Sequence, residues 1–298
     1  MKVKFWGVRG SIPSPGQGTV RYGGNTACVE VFCGDTLIIL DAGSGIRMLG
    51  NDLLRRYQSP IQADILMSHF HWDHIQGFPF FVPAYIPGNR FTIHGCEGMI
   101  QPLEMIFKGQ MVPDYFPISF QEMPSEKSFS KITEGDFEIK DVKISTLYLN
   151  HPGIALGYRL EHEGKVFCFI SDNEPHSYSE GNGAGANLLE EIRNGEVKLG
   201  PMDEALIEFI QGAHLLVHDS QYSVEEYVAK IGWGHSFFQF AIEIGVRANV
   251  QRLLLFHHDP MRDDDMVDRM AADCNALISE KNISLRCQPA AEGMEFEL

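Results

Sequence analysis

Four side chains of metal-ligand type fall within six residues of the stretch ADILMSHFHWDHIQG, residues 63–77: His69, His71, Asp73 and His74. Imidazole nitrogens and a carboxylate are the donors that hold zinc and similar first-row ions. No regular helix brings all four to one face, and a strand would send Asp73 and His74 to opposite sides. The spacing therefore predicts a loop that turns into a helix, entered from a buried strand formed by the preceding apolar run. A loop leaving the carboxyl end of a strand is where layered α/β proteins build their sites. Two histidines at this spacing could meet on a surface by chance. H-x-H-x-D-H directly after an apolar strand points instead to a binuclear metal site.

Two ions need more than four donors, so further ligands are expected at other strand ends. His151 in NHPG, Asp172 in ISDN and His257 in LFHHDP each close an apolar run, with His258 as the adjacent alternative to His257. The order H-x-H-x-D-H, then His, Asp and His, resembles the metallo-β-lactamase superfamily, and within it the ribonuclease Z and cyclic-phosphodiesterase branch. The resemblance implies a ligand set: His69, His71 and His151 for one divalent ion, Asp73, His74 and His257 for the other, and Asp172 between them. Penicillin-destroying members often carry Cys where Asp172 stands. Asp41, in DAGSG, would be a buried support beside the metal loop. Zinc is the expected metal, with manganese or iron as alternatives.

Two more segments carry the resemblance. GWGHSFFQFA is similar to that branch's Gly-His-Ser segment opening a helix, and LLVHDSQY is similar to its His-Glu-Ala-Thr segment with Asp219 in place of Glu. The implied catalytic residues are His235 and Asp219, with Asp73 beside them. A carboxylate fixes the tautomer of an imidazole and raises its basicity before it acts as a general acid. Asp is shorter than Glu, so a purely structural His235 is the competing reading. Arg9, Ser11 and Arg21, in the Gly- and Pro-rich segment VRGSIPSPGQGTVRYGGN, are candidates to hold a substrate phosphate, plain connection being that loop's other role. His94, His214 and His218 read as structural or supporting residues, and His162 and His176 as solvated ones.

The elements that must position these residues are legible in outline. KVKFWGV, ACVEVFC and TLIILDAG read as a meander of short strands, and SGIRMLGNDLLRRYQS as a helix with Ile46, Leu49, Leu53 and Leu54 on its apolar face. IQGFPFFVPAYIP is broken by prolines into short turns, and RFTIHG is a strand. KDVKISTLYLN leads to His151, and GYRLEHEGKVFCFISDN is a hairpin ending at Asp172. DEALIEFIQGA and SFFQFAIEIGVRANV read as helices, AHLLVHDSQYS and RLLLFHHDP as buried strands. The β-rich first half followed by strand and helix in alternation predicts an α/β protein, a four-layer αββα sandwich forming one domain over residues 1–298. Residues 99–130 could form a lid or a dimer contact, and the Gly-rich 173–205 a mobile loop; a surface excursion and an idle insertion are the alternatives.

Composition narrows the function. An apolar fraction of 44% is that of a globular protein, and no uninterrupted apolar run is long enough to span a bilayer. The opening MKVKFWGVRGSIP carries charges within its apolar segment and reads as a first strand, not a signal peptide. Six cysteines without a C-x-x-C pair suggest buried thiols in a reducing cytoplasm. The formal charge of −16 argues against a broad hold on nucleic acid, making it an unlikely partner. The leading expectation is a metal-dependent phosphodiesterase acting on a small phosphodiester, first a 3′,5′-cyclic nucleotide, with Trp72, Tyr115, Phe116 or Trp233 available to stack a base or simply to pack. The alternatives are a five-membered cyclic ribose phosphate or, as in ribonuclease Z, a tRNA 3′ end. Other enzyme classes on this scaffold are thioester or lactone hydrolases and β-lactamases. A homodimer is expected from the resemblance.

Overall fold

The computed structural model describes residues 1–298 apart from Ser59, 180–187, 194 and 195. Part of the loop expected at 173–205 therefore lies outside the described residues. The first sheet takes β1 (Lys2–Gly7), β2 (Cys28–Cys33), β3 (Thr36–Leu40), β4 (Gln62–Leu66), β5 (Arg90–Gly95) and β6 (Glu126–Lys131). The second takes β7 (Gly135–Ile139), β8 (Val142–Tyr148), β9 (Leu156–His162), β10 (Lys165–Ile170), β11 (Leu215–Asp219), β12 (Arg252–Phe256) and β13 (Arg286–Pro289), while β14 (Glu295–Glu297) returns to the edge of the first beside β1. Among the described residues each sheet has seven strands and the same plan, antiparallel at one side and parallel at the other. The antiparallel run in the second sheet is β7 to β10, and the parallel run β10 to β13.

The two sheets pack face to face. Phe5, Val31, Ile38 and Leu40 of the first meet Tyr158, Phe167, Phe169, Val217 and Phe256 of the second in one apolar layer. The helix Ile46–Arg56 covers the outside of the first sheet with Ile46, Leu49 and Leu53. Helices Phe238–Arg247 and Asp264–Glu280 cover the second. The architecture is the αββα sandwich that the alternation of elements predicts. TLIIL of β3 and LLVHD of β11 are buried at every position, and their runs LIIL and LLV are the near-continuous apolar stretches that strands covered on both faces need.

Two regions differ from the sequence reading. The helix Asp264–Glu280 lies beyond the last element read from the sequence, and begins where the Asp263 side chain accepts the Met266 N–H. Within 99–130, Leu103, Phe107, Met111, Phe120 and Met123 are buried against the first sheet and Glu126–Lys131 is its edge strand. Much of that segment's apolar content is therefore core, while Ile100 and Tyr115 stay exposed. No helix among the described residues is long and apolar enough to cross a membrane.

Candidate metal centre

The parallel strands of both sheets point their carboxyl ends at one edge of the sandwich. β4 runs through Met67 and Ser68 to His69, and the helix Trp72–Ile75 follows, so H-x-H-x-D-H is a loop turning into a helix. From the other sheet, β8 leads to His151, β10 to Asp172, β11 ends in Asp219, and β12 leads to His257. Residues 80 to 184 positions apart in sequence thus meet in one cluster.

Donor atoms of His69, His71 and His151 form one trio, and those of Asp73, His74 and His257 another, each within 4.8 Å of one another. Nε2 of His151 lies 2.9 Å from Nδ1 of His71, and Oδ2 of Asp73 lies 3.1 Å from Nε2 of His257. Asp172 sits between the trios. Its Oδ2 is 3.7 Å from Nε2 of His69, 3.8 Å from that of His151 and 3.4 Å from that of His257, and its Oδ1 is 3.3 Å from Nε2 of His74.

The far ring nitrogens are fixed by neighbours, which sets the direction of the near ones. His74 Nδ1 lies 2.8 Å from Asp41 Oδ2, His257 Nδ1 2.8 Å from Gln221 Oε1, and His151 Nδ1 2.9 Å from the Gly234 carbonyl. Asp41 is further held by the Ser68 N–H and hydroxyl. Asp41 and His257 both have φ of 61°. Left-handed backbone at non-glycine residues is costly and is retained where the surrounding contacts over-determine it. Gly10 lies so close to His257 that a Cβ there would meet its ring at 2.3 Å.

Burial lowers the imidazoles of His69, His71 and His151, keeping them neutral and able to donate a lone pair. Burial opposes ionisation of Asp172 and Asp73 as well, yet the surrounding histidines outweigh it and hold both carboxyls well below the usual range. At His74 burial is again opposed, here by Asp172, Asp73 and Asp41, and the imidazole is raised well above its ordinary value. Carboxylates therefore demand positive charge at the centre of the cluster. Nε2 of His69 and Oδ1 of Asp172 are buried with no hydrogen-bond partner. Such orphaned donors, converging from two trios on one shared carboxylate, fit two divalent ions.

The family model described as "Beta-lactamase superfamily domain" matches residues 36–189, from β3 past Asp172 and more than half of the chain. The chain belongs to the metallo-β-lactamase superfamily. It is 26% identical to ribonuclease Z of Thermoplasma acidophilum over 294 residues, covering 90% of this chain and 89% of that one. Among solved structures it is similar to the metallo-β-lactamase fold protein YhfI of Bacillus subtilis, with a TM-score of 0.66, 15% identity and 99% of each chain covered. It is similar also to the short form of human tRNase Z, with a TM-score of 0.64, 16% identity, and 100% and 99% covered. Its clustered ligands and its superfamily make it a metal-dependent hydrolase.

These relatives overturn the expectation that nucleic acid is an unlikely partner. Proteins named for cutting RNA align along nearly the whole superfamily chain. A charge of −16 sums the entire surface and does not report the few contacts that bring a phosphate to a metal centre.

Beside the two trios stands His235, whose Nδ1 is 2.8 Å from Asp219 Oδ2 and 3.8 Å from Asp172 Oδ2. The Asp for Glu replacement therefore still reaches the imidazole. Burial raises the Asp219 carboxyl and lowers the His235 imidazole, both moves away from separated charge. A cavity of about 340 Å³ adjoins His69 and His71, walled by Phe70, Met99, Ile106 and Ile154. Trp72 and Trp233, next in sequence to His71 and Gly234, are 70% and 61% exposed.

Other expectations need correction. Arg9 does not face the cluster: it is fully buried, its guanidinium donating to the carbonyls of Gly23, Asp259 and Arg262. Arg21 is committed to Asp265 and Asp268 beside the helix Asp264–Glu280. Ser11 does reach the site, through its backbone N–H, which donates to Asp73 Oδ2 at 2.6 Å. His162 is buried, with Nε2 3.0 Å from Asp141, and not solvated. His258 points away, to the Ala290 carbonyl. The sequence reading missed Gln221, Ser68 and Glu174, which act through contacts between residues far apart in the chain.

Proposed function

We propose that this chain is a binuclear phosphodiesterase that cuts RNA, acting at tRNA 3′ ends as its resemblance to ribonuclease Z implies. The observation that carries the reading is the His235–Asp219 pair standing against Asp172, where both ligand trios meet. Similarity to ribonuclease Z over 90% of the chain supports RNA as the substrate class.

His69, His71 and His151 would hold one ion, Asp73, His74 and His257 the second, and Asp172 both. When bound, two divalent ions supply Lewis acidity toward a phosphate oxygen and make water more acidic. Zinc suits this donor set, with manganese or iron depending on supply. The chain's own residues do the rest. In hydrolysis a water oxygen forms a bond to phosphorus, the bond from phosphorus to the ribose oxygen breaks, and that oxygen takes a proton. His235, tied through Nδ1 to Asp219, presents Nε2 to give that proton. The apolar cavity beside His71 and the exposed rings of Trp72 and Trp233 suit unstacked bases flanking the scissile phosphate.

Replacing His235 with Ala tests the assignment. RNA cleavage is expected to fall by about 10²–10⁴-fold with metal content unchanged. An unchanged rate contradicts it.

A further inference from the structure

Glu174 is a carboxylate only 2% exposed, two residues beyond Asp172. No Lys or Arg pairs with it among the described residues. Its charge is met by three neutral donors: the Tyr227 hydroxyl at 3.0 Å, the Gly232 N–H at 2.7 Å and the Gly234 N–H at 2.9 Å. Burying an ion without a counter-ion is costly, so a site that does so needs those donors in fixed positions. Here two of them are backbone groups of a single loop. Gly232 and Gly234 have φ of 88° and 87°, turning both N–H groups toward one anion. Trp233 between them projects outward.

The loop so held serves two parts of the site. The Gly234 carbonyl accepts from His151 Nδ1, directing Nε2 of that imidazole into the first trio. The next residue is His235. A Cβ on Gly234 would lie 2.3 Å from the His151 ring, so the loop has no slack on that side. On the other, the Ser236 hydroxyl donates to the Asn173 carbonyl, and the Glu174 N–H donates to the Asn150 carbonyl at 2.8 Å. Residues 150–151, 172–174 and 232–236 form one knot, and Glu174 is the carboxylate within it that accepts from the loop N–H groups.

We propose that Glu174 is a positioning residue that sets His235 against Asp172, by clamping the N–H groups of Gly232 and Gly234. This rests on the role of His235 as proton donor proposed above. Glu174→Gln is nearly isosteric but replaces one acceptor oxygen with an NH2 group, which leaves one of the loop N–H groups unmet. A misplaced proton donor harms departure of a ribose oxygen. It matters little for p-nitrophenolate, which leaves as a stable anion.

The experiment compares RNA with bis(p-nitrophenyl) phosphate for the metal-loaded wild type, Glu174→Gln, His235→Ala and the double variant. Glu174→Gln should lose about 30-fold on RNA and less than about 3-fold on the nitrophenyl ester, with bound metal unchanged. In the double variant the RNA rate should match that of His235→Ala within about 2-fold, because both changes act on one group. In the metal-free protein, hydrogen exchange at the Gly232 and Gly234 amides should quicken at least about 10-fold in Glu174→Gln. Equal losses on both esters, a full further loss in the double variant, or unchanged exchange would overturn the proposal. If His235→Ala itself spares RNA cleavage, the proton-donor assignment and this inference fall together; if only Glu174→Gln does, this inference falls alone. Should Glu174→Gln not fold, Glu174→Asp, which keeps the charge on a shorter arm, should show the same selectivity at smaller size, and a loss equal on both esters would again contradict it.

Discussion

At the scale of single residues, Asp172 has the most at stake, since five imidazole nitrogens lie within 3.8 Å of its two oxygens. Asp172→Ala should leave the histidines without their common carboxylate and lower bound metal from two ions to about one or fewer. Elemental analysis after dialysis checks this, and two retained ions would contradict it. A second prediction concerns His218, which is buried within β11 away from the trios. Burial pushes its imidazole down to about 4, below the ordinary 6.5. The unfolded chain therefore binds a proton that the folded chain refuses between those values. The stability from keeping it neutral is complete above pH 6.5 and lost as pH falls toward 4, about 3 kcal/mol in all. His218→Asn should flatten the fall of the urea midpoint between pH 6.5 and 4.5 relative to wild type, and an equally steep fall would contradict the account. The residues with chemical character were legible in the sequence because their types and the ends of apolar runs mark them. Of the partners of their far nitrogens, Asp41 was named as a buried support and does meet His74, while the other two were not legible. Gln221 and the Gly234 carbonyl have no distinguishing type, and only the fold brings them to His257 and His151.

At the scale of elements, the site depends on how firmly the two sheets hold their strand ends in register. Phe169 of β10 is fully buried between the sheets, its ring centroid 5.5 Å from that of Phe256 of β12. Those two strands lead to Asp172 and His257. Phe169→Ala is expected to cost about 3–5 kcal/mol, seen as a lower urea midpoint, and to weaken metal retention with it. A loss of stability with metal affinity intact would show that the strand ends are positioned locally. Strands such as TLIIL and RLLLF could be read because burial on both faces leaves a continuous apolar run. Edge strands were harder. β6 reads EKSFSK, with no position fully buried, and its role appears only in the parallel pairing with β5. Arg9 shows the converse error: its type and its loop suggested substrate, while the packing of that loop against residues 259–264 gave it three backbone carbonyls and no route to the site.

At the scale of the whole molecule, charge distinguishes this chain from a protein that holds nucleic acid by a broad basic surface. With 24 Lys and Arg against 40 Asp and Glu, the surface carries a net negative charge, and the metal centre rather than a broad basic face is expected to draw the phosphate. RNA affinity should therefore depend only weakly on salt, with a slope of log affinity against log salt nearer to about −2 than to the −5 to −9 expected from six to ten phosphate contacts. Titrating RNA binding between 50 and 200 mM salt, a range of roughly that used to define such slopes, would reveal a steep dependence if a hidden basic surface existed. The most direct measurement is cleavage itself. Purified protein loaded with Zn²⁺ or Mn²⁺ should be incubated in parallel with a precursor tRNA bearing a 3′ extension and with 3′,5′-cyclic AMP, GMP, CMP and UMP. The account predicts release of the 3′ extension, abolished by a chelator and restored by the metal, with the cyclic nucleotides left intact. An intact precursor tRNA under conditions where bis(p-nitrophenyl) phosphate is hydrolysed would contradict it.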